Sequence, residues 1–309
     1  MMMKADLGMI RTMAASGIIA LVCAGSAFAQ QPPAPPGTPP PAVQTISMVK
    51  PDLYVVSGEG GAVAVRVTRA GLLLVDTKNA GDEIYARTLA AIRTVTDQPV
   101  KVVINTHNHG DHTGNNRRYI ASGAQVIGHA NMPARMTGPA PAGREAAVPP
   151  STTYTGESTV VKLGDAQAAV YHLGNGHTDN DSVVYFPDLK VVHTGDLFVT
   201  VVPFIAYNNG GTLFGTRDAI GKLLQLDFDT VIPGHAANTV PRALVERYRD
   251  DLDKFIQRAT ALIKAGTRKE DLFAKIDGSD LSWSLATRQW GGSPEAVNGL
   301  YDELSAAIR

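Results

Sequence analysis

The sequence of 309 residues is poor in cysteine, in aromatic side chains and in any excess of one charge. Its single cysteine, Cys23, excludes a disulfide framework, a four-cysteine zinc site and a Cys-x-x-Cys redox motif. Its 28 basic and 29 acidic residues leave a formal charge of −1, which argues against a protein built mainly to bind nucleic acid. The remainder is an ordinary globular composition, 44% hydrophobic, which is enough for a sizeable core.

Residues 1–29 have the pattern of a secretory signal peptide. Lys4 and Arg11 give a positive start, residues 14–25 form an apolar stretch that is short for a membrane span, and Ala27-Phe28-Ala29 fits a small-x-small cleavage site. Cleavage after Ala29 would make this an exported protein, periplasmic or secreted, without a membrane segment. The alternative is an uncleaved membrane anchor.

Cleavage at this site would also remove Cys23, the only cysteine. A mature chain without thiols suits an oxidising compartment, and any metal site in it must use nitrogen and oxygen ligands. The proline-rich residues 30–42 predict an extended linker between the signal peptide and the folded part.

From residue 43 the apolar pattern predicts a layered α/β domain, with sheet inside and helices outside. Short β-rich runs separated by glycine come first and predict a meander. Helical spacing covers residues 80–95 and 216–226, and residues 133–150 are predicted to be a loop. The predicted strands are ISMV, LYVVSG, AVAVRVT, GLLLVDT, VKVVINTH, AQVIGH, STVVKL, AQAAVYHLG, DSVVYF, KVVHTGD and DTVIPGH.

After His235 the pattern becomes helical, so we divide the mature chain into a domain over residues 43–240 and a helical extension over residues 241–309. Pro241 suits a helix start and Gly266 a stop. A second helix is predicted from Pro294 to Ile308. The first of these helices carries an apolar stripe that consists of Leu244, Tyr248, Leu252, Phe255, Ala259 and Leu262.

The run THNHGDH, residues 106–112, is the strongest chemical feature of the sequence. His107 and His109 alternate in an extended segment, so their imidazoles point to the same side. The chain then turns at Gly110, which lets Asp111 and His112 face a second point nearby. Imidazole and carboxylate groups are ligands that suit zinc, iron or manganese. The run therefore predicts a metal site.

Three more candidate ligands follow predicted strands, namely His177, Asp196 and His235. Because α/β sheets place their sites at the carboxyl ends of strands, we expect these side chains to join the early cluster. The other three histidines, His129, His172 and His193, are interpreted as core or supporting residues.

With THNHGDH followed by GNGHTD, HTGD and PGH, the chain resembles the metallo-β-lactamase superfamily over about residues 53–235. The resemblance implies a four-layer αββα sandwich of two mixed β-sheets flanked by helices, with the helical extension packed on it. It also implies two metal ions, expected to be Zn²⁺, with iron or manganese as alternatives.

Residue by residue, the resemblance implies that His107, His109 and His177 hold the first metal. Asp111, His112 and His235 would hold the second, and Asp196 would bridge the two. The implied activity is hydrolysis of a small-molecule carbonyl substrate (β-lactam, lactone, ester or thioester) by a metal-bound hydroxide. Asp111 would be the catalytic residue that orients the hydroxide and handles its proton.

The sequence departs from the best-known β-lactamases at two positions. Asp196 stands where one branch has a cysteine ligand, and Val199 stands where that branch has a lysine for the carboxylate of the drug. β-Lactamase activity therefore remains one option among several carbonyl substrates.

Two loops are candidates for substrate contact. The turn Gly58-Glu59-Gly60-Gly61 either overhangs the pocket or is a plain surface turn. In the segment FIAYNNGG, Tyr207 or Asn208 could contact a substrate oxyanion, with an ordinary turn as the alternative. Trp283 and Trp290 are interpreted as packing residues.

Three other functions compete with carbonyl hydrolysis. A mononuclear iron oxygenase acting on persulfides would use only His107, His177 and Asp196. A phosphodiesterase or nuclease would suit the metals, but no basic run or aromatic platform for RNA is present. A metal-dependent binding protein without turnover is the third, and the complete ligand set argues against it.

Overall fold

The computed structural model describes residues 43–138, 145–235, 237–283, 285 and 294–308. The predicted signal peptide, the predicted linker and Trp290 lie outside the described residues. Within those ranges, no helix combines the length and the apolar character that crossing a membrane requires.

The first sheet has seven strands that follow one another in chain order. The first four pair antiparallel, which confirms the predicted meander, and the last four pair parallel. The seventh strand was not predicted from the sequence. The strands are β1 (Thr45–Lys50), β2 (Leu53–Ser57), β3 (Val63–Thr68), β4 (Gly71–Val75), β5 (Val100–Ile104), β6 (Gln125–His129) and β7 (Thr152–Tyr154).

The second sheet has six strands in the order β13-β12-β11-β10-β9-β8. Only β11 and β12 pair parallel, so this sheet is mixed like the first. The strands are β8 (Ser158–Leu163), β9 (Ala166–Tyr171), β10 (Val183–Phe186), β11 (Val191–His193), β12 (Thr230–Ile232) and β13 (Val240–Pro241).

The helices lie mostly where their periodicity predicts them. One exception is a short helix at the start of the segment predicted to be a loop. They are α1 (Asp82–Arg93), α2 (Gly110–Thr113), α3 (Asn116–Ala121), α4 (Met132–Arg135), α5 (Leu213–Leu223), α6 (Arg242–Lys264), α7 (Leu272–Lys275) and α8 (Pro294–Ala306). Three 3₁₀ turns cover Gly195–Leu197, Tyr207–Asn209 and Lys269–Asp271.

Strand β4 shows how the layers arise. Because successive side chains of a strand point to opposite faces, Leu73 and Val75 enter the core between the sheets. Leu72 and Leu74 enter a second core together with apolar residues of α1 and α3. On the far side, α5, α6 and α8 cover the second sheet. The predicted αββα sandwich with C-terminal helices is confirmed.

The long helix α6 packs on the second sheet through the predicted stripe, except at its first position. Val245, Tyr248, Leu252 and Phe255 are buried, whereas Leu244 is 42% exposed. Leu244 and Val245 both have helical spacing from Tyr248, four and three residues away, and the structure buries Val245. The prediction for Leu244 was therefore wrong.

The last helix shares this core. Leu300 and Leu304 of α8 are fully buried in the cluster that also contains Val192 of β11. Trp283 packs edge-on against Tyr248 at 5.1 Å between ring centroids, which agrees with the packing role expected for it. The C-terminal helices thus complete one wall of the sandwich.

Candidate metal centre

Four of the predicted ligands form a first group. His107 and His109 follow β5, and His177 and Asp196 come from the second half of the chain; one ligand atom of each lies within 4.8 Å of the others. Nδ1 of His109 lies 3.1 Å from Nε2 of His107 and 2.9 Å from Nε2 of His177. The structure brings these side chains together, as the sequence predicted.

The other three ligands form a second group beside the first. Nε2 of His235 lies 3.2 Å from Nε2 of His112 and 3.1 Å from Oδ2 of Asp111. Asp196 lies between the groups: Oδ1 is 3.3 Å from His112, and Oδ2 is 3.3 Å from His235 and 3.7 Å from His177.

The donor atoms fit metal ions. Zinc bonds imidazole nitrogen at about 2.0–2.1 Å, so two tetrahedral ligands lie about 3.3 Å apart, close to the spacings seen here. Within the described parts of the chain, Oδ1 of Asp196 is buried and makes no hydrogen bond. An orphaned buried carboxylate oxygen that faces several imidazole nitrogens is the arrangement that a cation would satisfy.

In the first group, the ring nitrogen of each histidine that faces away from the other ligands lies against a polar group of the protein. Nδ1 of His177 donates to the carbonyl of Phe204 at 2.6 Å, and Nδ1 of His107 lies 3.0 Å from the hydroxyl of Thr106. Nε2 of His109 faces the side-chain amide of Asn209 at 3.1 Å. Such partners orient a metal-binding imidazole and fix the nitrogen that faces the metal.

The electrostatics of the first group favour neutral imidazoles. Burial lowers the pKa of His107 well below its usual value and that of His109 to about 4. Burial alone would raise the pKa of Asp196, but the neighbouring histidines, His112 foremost, outweigh it and hold that pKa well below its usual value. Neutral imidazole and ionised carboxylate are the forms that bind a metal.

The second group holds protons in the absence of a metal. Hydrogen bonds with Asp111 and Asp196 raise the pKa of His235 to about 9. Burial opposes the charge on His112, but Asp196 and Asp76 raise its pKa well above the usual value. A bound cation would displace these protons, so metal binding should release them to solvent.

Asp76 is a site residue that the sequence analysis missed. Its Oδ2 accepts from Nδ1 of His112 at 2.7 Å and from the hydroxyl of Thr106 at 2.8 Å, while Oδ1 accepts from the Thr106 amide at 2.8 Å. The signal was present: Asp76 directly follows the buried strand β4, just as Asp196 follows soon after β11.

The turn Gly58–Gly61 does lie against the second group. A Cβ at Gly61 would come within 2.3 Å of the His112 ring, and the Gly61 amide donates to the Asp111 carbonyl at 3.0 Å. The fully buried Lys78 donates to the carbonyls of Val56 and Gly61, and burial lowers its pKa to about 7. Lys78 thus fixes the turn over His112.

The hydrogen bonds of Tyr207 and Asn208 lead away from both groups. The hydroxyl of Tyr207 donates to Glu303 of α8 at 2.7 Å, and the carbonyl of Asn208 accepts from Arg135 at 3.4 Å. Both residues line a cavity of about 330 Å³ next to His109, but the neighbouring Asn209 makes the histidine contact. The substrate contact predicted for Tyr207 or Asn208 stays a prediction.

The remaining histidines lie outside the two groups. His129 and His172 stack on each other at 4.1 Å between ring centroids. His193 is fully buried, donates to the carbonyl of Ala62 at 3.0 Å and accepts from the amide of Gly195 at 3.1 Å. It therefore supports the turn that carries Asp196.

We expect Glu303→Gln to destabilise the protein by about 1–2 kcal/mol. The Glu303 carboxylate accepts from the first amides of α5, those of Leu213 and Phe214, at 2.8 and 3.0 Å, and from Tyr207. A neutral amide loses the favourable interaction of the charge with the helix N-terminus. Urea unfolding measures the change, with Asp302→Asn, an exposed neighbour on α8, as the control. Equal stability of the two variants would contradict the prediction.

A model of the metallo-β-lactamase superfamily matches residues 58–235, which include every ligand candidate. The chain belongs to the metallo-β-lactamase superfamily. A curated relative, the α subunit of 2,4-dinitroanisole O-demethylase from Nocardioides sp. (strain JS1661), is 28% identical over 146 residues. That match covers 45% of this chain and only 41% of the relative.

Two solved structures show how the superfamily fold extends over this chain. The stereoselective inverting sec-alkylsulfatase Pisa1 from Pseudomonas sp. matches with a TM-score of 0.65 at 17% identity, over 86% of this chain and 52% of that one. A metallo-β-lactamase from Pontibacter korlensis matches with a TM-score of 0.57 at 23% identity, over 68% of this chain and 99% of that one. This chain thus spans about half of the sulfatase chain, and at these identities the likeness concerns the fold alone.

Proposed function

We propose that this chain is a hydrolase that holds two zinc ions and cleaves a small-molecule carbonyl substrate, namely an ester, thioester, lactone or β-lactam. One observation carries the proposal: seven donor side chains converge in two groups joined by Asp196, beside a cavity of about 480 Å³. Pockets of this size hold small molecules.

His107, His109 and His177 would hold one ion, Asp111, His112 and His235 the other, and Asp196 both. Bound zinc makes hydroxide available near pH 7 and polarises carbonyl oxygens. The protein's part is to fix the ligands, to shape the cavity and to position the reacting proton.

Asp111 is the residue proposed to handle that proton. Its side chain lines the cavity and remains 32% exposed, whereas the other carboxylate, that of Asp196, is nearly buried. Burial would raise the pKa of Asp111, but the hydrogen bond from His235 and the charge of His112 lower it to about 2. An ionised carboxylate at the cavity surface can orient an attacking water and accept its proton.

The similar proteins suggest one rival substrate chemistry. The structure that covers 86% of this chain is named an alkylsulfatase, so cleavage of a sulfate ester is the second candidate. The iron oxygenase and the phosphodiesterase predicted as alternatives from the sequence remain competing outcomes, distinguished by metal content and by substrate.

We expect the metal-loaded protein to hydrolyse at least one carbonyl substrate and EDTA to abolish the activity. The panel contains nitrocefin, acyl lactones, thioesters, p-nitrophenyl esters, aryl phosphates and alkyl sulfates. Elemental analysis of the same sample should give two zinc ions per chain, because seven donors form two groups. Cleavage of sulfates or phosphates alone, or one iron per chain, would contradict the proposal.

Export to the periplasm or the medium is proposed as well. It rests on residues 1–29 of the sequence, and the mass of the protein recovered from its producing cells tests it. Cleavage after Ala29 would leave a chain that begins at Gln30.

A further inference from the structure

Apart from the four ligand residues, the lining of the 480 Å³ cavity is an apolar wall. It consists of side chains from the segment that follows Asp196: Val199, Val201, Val202 and Phe204. The other lining residues are the ligands His109, Asp111, Asp196 and His235. No lysine or arginine occurs among the described residues that line it.

This apolar wall continues away from the ligands. Val199 and Val201 also line a second, smaller cavity of about 80 Å³, whose other lining residues are Phe198, Thr200, Leu244, Tyr248, Ser282 and Trp283. The two cavities therefore share Val199 and Val201, and a mostly apolar lining links the metal ligands to Trp283.

Two residues on this surface are exposed although they are large and apolar. Val201 is 54% exposed and Leu244 is 42% exposed. Contiguous apolar surface on a soluble protein is a common mark of a ligand site, and here it adjoins a candidate reaction centre. A ligand that covered both residues would remove this surface from water.

Building on the proposed hydrolase function, we infer that the substrate is an ester-type compound whose acyl side carries an uncharged apolar arm. The arm is a linear alkyl chain or an aromatic ring. It lies along Val199, Val201 and Phe204 and points towards Leu244 and Trp283.

An arm that ends in a carboxylate would bind poorly on this wall. It would exchange water for valine side chains, with no lysine or arginine among the described lining residues to pair with, and desolvation of an unpaired charge is strongly unfavourable. Such a substrate, including a β-lactam whose carboxylate lies on this side, should therefore be disfavoured relative to a neutral one.

Three p-nitrophenyl esters with one leaving group test the inference: the acetate, the hexanoate and the adipate monoester. Hexanoate and adipate have the same six-carbon chain and differ at its far end. We expect kcat/KM to rise about two- to fourfold for each methylene from acetate to hexanoate. The adipate monoester should be at least about tenfold worse than the hexanoate.

A matched pair of variants locates the wall. Val201→Lys puts a cation on it, whereas Val160→Lys puts one on β8 at a valine of equal exposure, 54%, that lines neither cavity. Val201→Lys should raise the adipate-to-hexanoate ratio of kcat/KM about tenfold or more, since it provides the missing partner. Val160→Lys should leave the ratio unchanged.

A binding measurement independent of turnover uses the EDTA-treated protein and the neutral fluorophore N-phenyl-1-naphthylamine. Fluorescence enhancement should be strong for the wild type and Val160→Lys and weak for Val201→Lys. Circular dichroism checks that both variants are folded.

The outcomes separate the inference from the proposed function. If the acetate ester is cleaved but hexanoate and adipate react equally, the inference is overturned and the hydrolase stands. If no ester is cleaved, the hydrolase proposal fails for esters and dye binding alone decides on the apolar wall. Equal dye binding by the two lysine variants would then overturn the inference.

Discussion

Asp111→Asn should lower kcat/KM for every hydrolysed substrate by about 10²–10⁴-fold, the usual contribution of a positioned general base. The amide has nearly the same shape as the carboxylate and can still approach His235. It carries no negative charge, however, and cannot accept a proton. The fold should persist because the Asp111 side chain lies at the cavity surface and not in the core.

Metal content decides how the loss arises. If Asp111→Asn keeps two metal ions per chain, the carboxylate acts on the reacting water; if it keeps one, its main role is that of a ligand. Asp165→Asn is the control, because Asp165 pairs with Arg69 at the surface and lines neither cavity around the ligands. Turnover at the wild-type rate by Asp111→Asn would remove the residue from the proposed mechanism.

The ligand positions could be predicted because a simple rule of strand geometry governs them. In the first sheet β4 and β5 run parallel, as do β11 and β12 in the second. The carboxyl ends of the two strands in each pair therefore lie at the same edge of their sheet. Polar residues after those ends gather at the edge of their own sheet, and the packing of the two sheets brings His107 beside Asp196. The same rule applied to β4 would have identified Asp76.

The contacts that hold the turn Tyr207–Asn209 could not be predicted in this way. Glu303 reaches Tyr207 across 96 positions of the chain, and Gly299 of α8 packs so closely on the Tyr207 ring that a Cβ there would lie 2.4 Å from it. Such contacts depend on the exact docking of α8, which no local pattern encodes. The sequence indicated Tyr207 or Asn208 as a substrate contact, and it gave no sign that the Tyr207 hydroxyl is bound to α8.

The face of helix α6 that packs on the sheet could be predicted only in part. Leu244 and Val245 are both apolar, and periodicity alone does not decide which one faces the sheet. The structure buries Val245 and leaves Leu244 at the edge of the smaller cavity. Leu244, which was wrongly predicted to be buried, is thus a residue that the inferred substrate arm would contact.

Asp76→Asn should weaken metal binding at the second group by about 10–100-fold, the typical effect of losing a partner that orients a ligand histidine. Asp76 accepts three hydrogen bonds, two from Thr106 and one from His112. An asparagine must place its amide nitrogen, which cannot accept a hydrogen bond, in front of one of these donors. At least one buried hydrogen bond is therefore lost. With the nitrogen in the position of Oδ2, His112 loses the bond that directs its Nε2 towards His235 and Asp196.

The metal-free protein should be affected even more clearly. There His112 retains a proton, so Asp76 and His112 form a buried ion pair with both side chains fully inaccessible. Removing one partner of such a pair typically costs about 3–5 kcal/mol of folding free energy. Urea unfolding in EDTA measures this loss, and the loss should be smaller with saturating zinc, because a neutral metal-bound His112 needs only a hydrogen bond.

Zinc titration against a competing chelator distinguishes the two groups. Asp76 contacts His112 directly but reaches the first group only through Thr106, so the variant should keep one tightly bound ion and lose the other at the same free zinc concentration. Asp188→Asn, which breaks the pair with Arg66 at 2.7 Å, is the control for losing a structural carboxylate. Two ions bound with wild-type affinity by Asp76→Asn would mean that the orientation of His112 does not depend on Asp76, and equal weakening of both ions would mean that Thr106 transmits the effect to the first group.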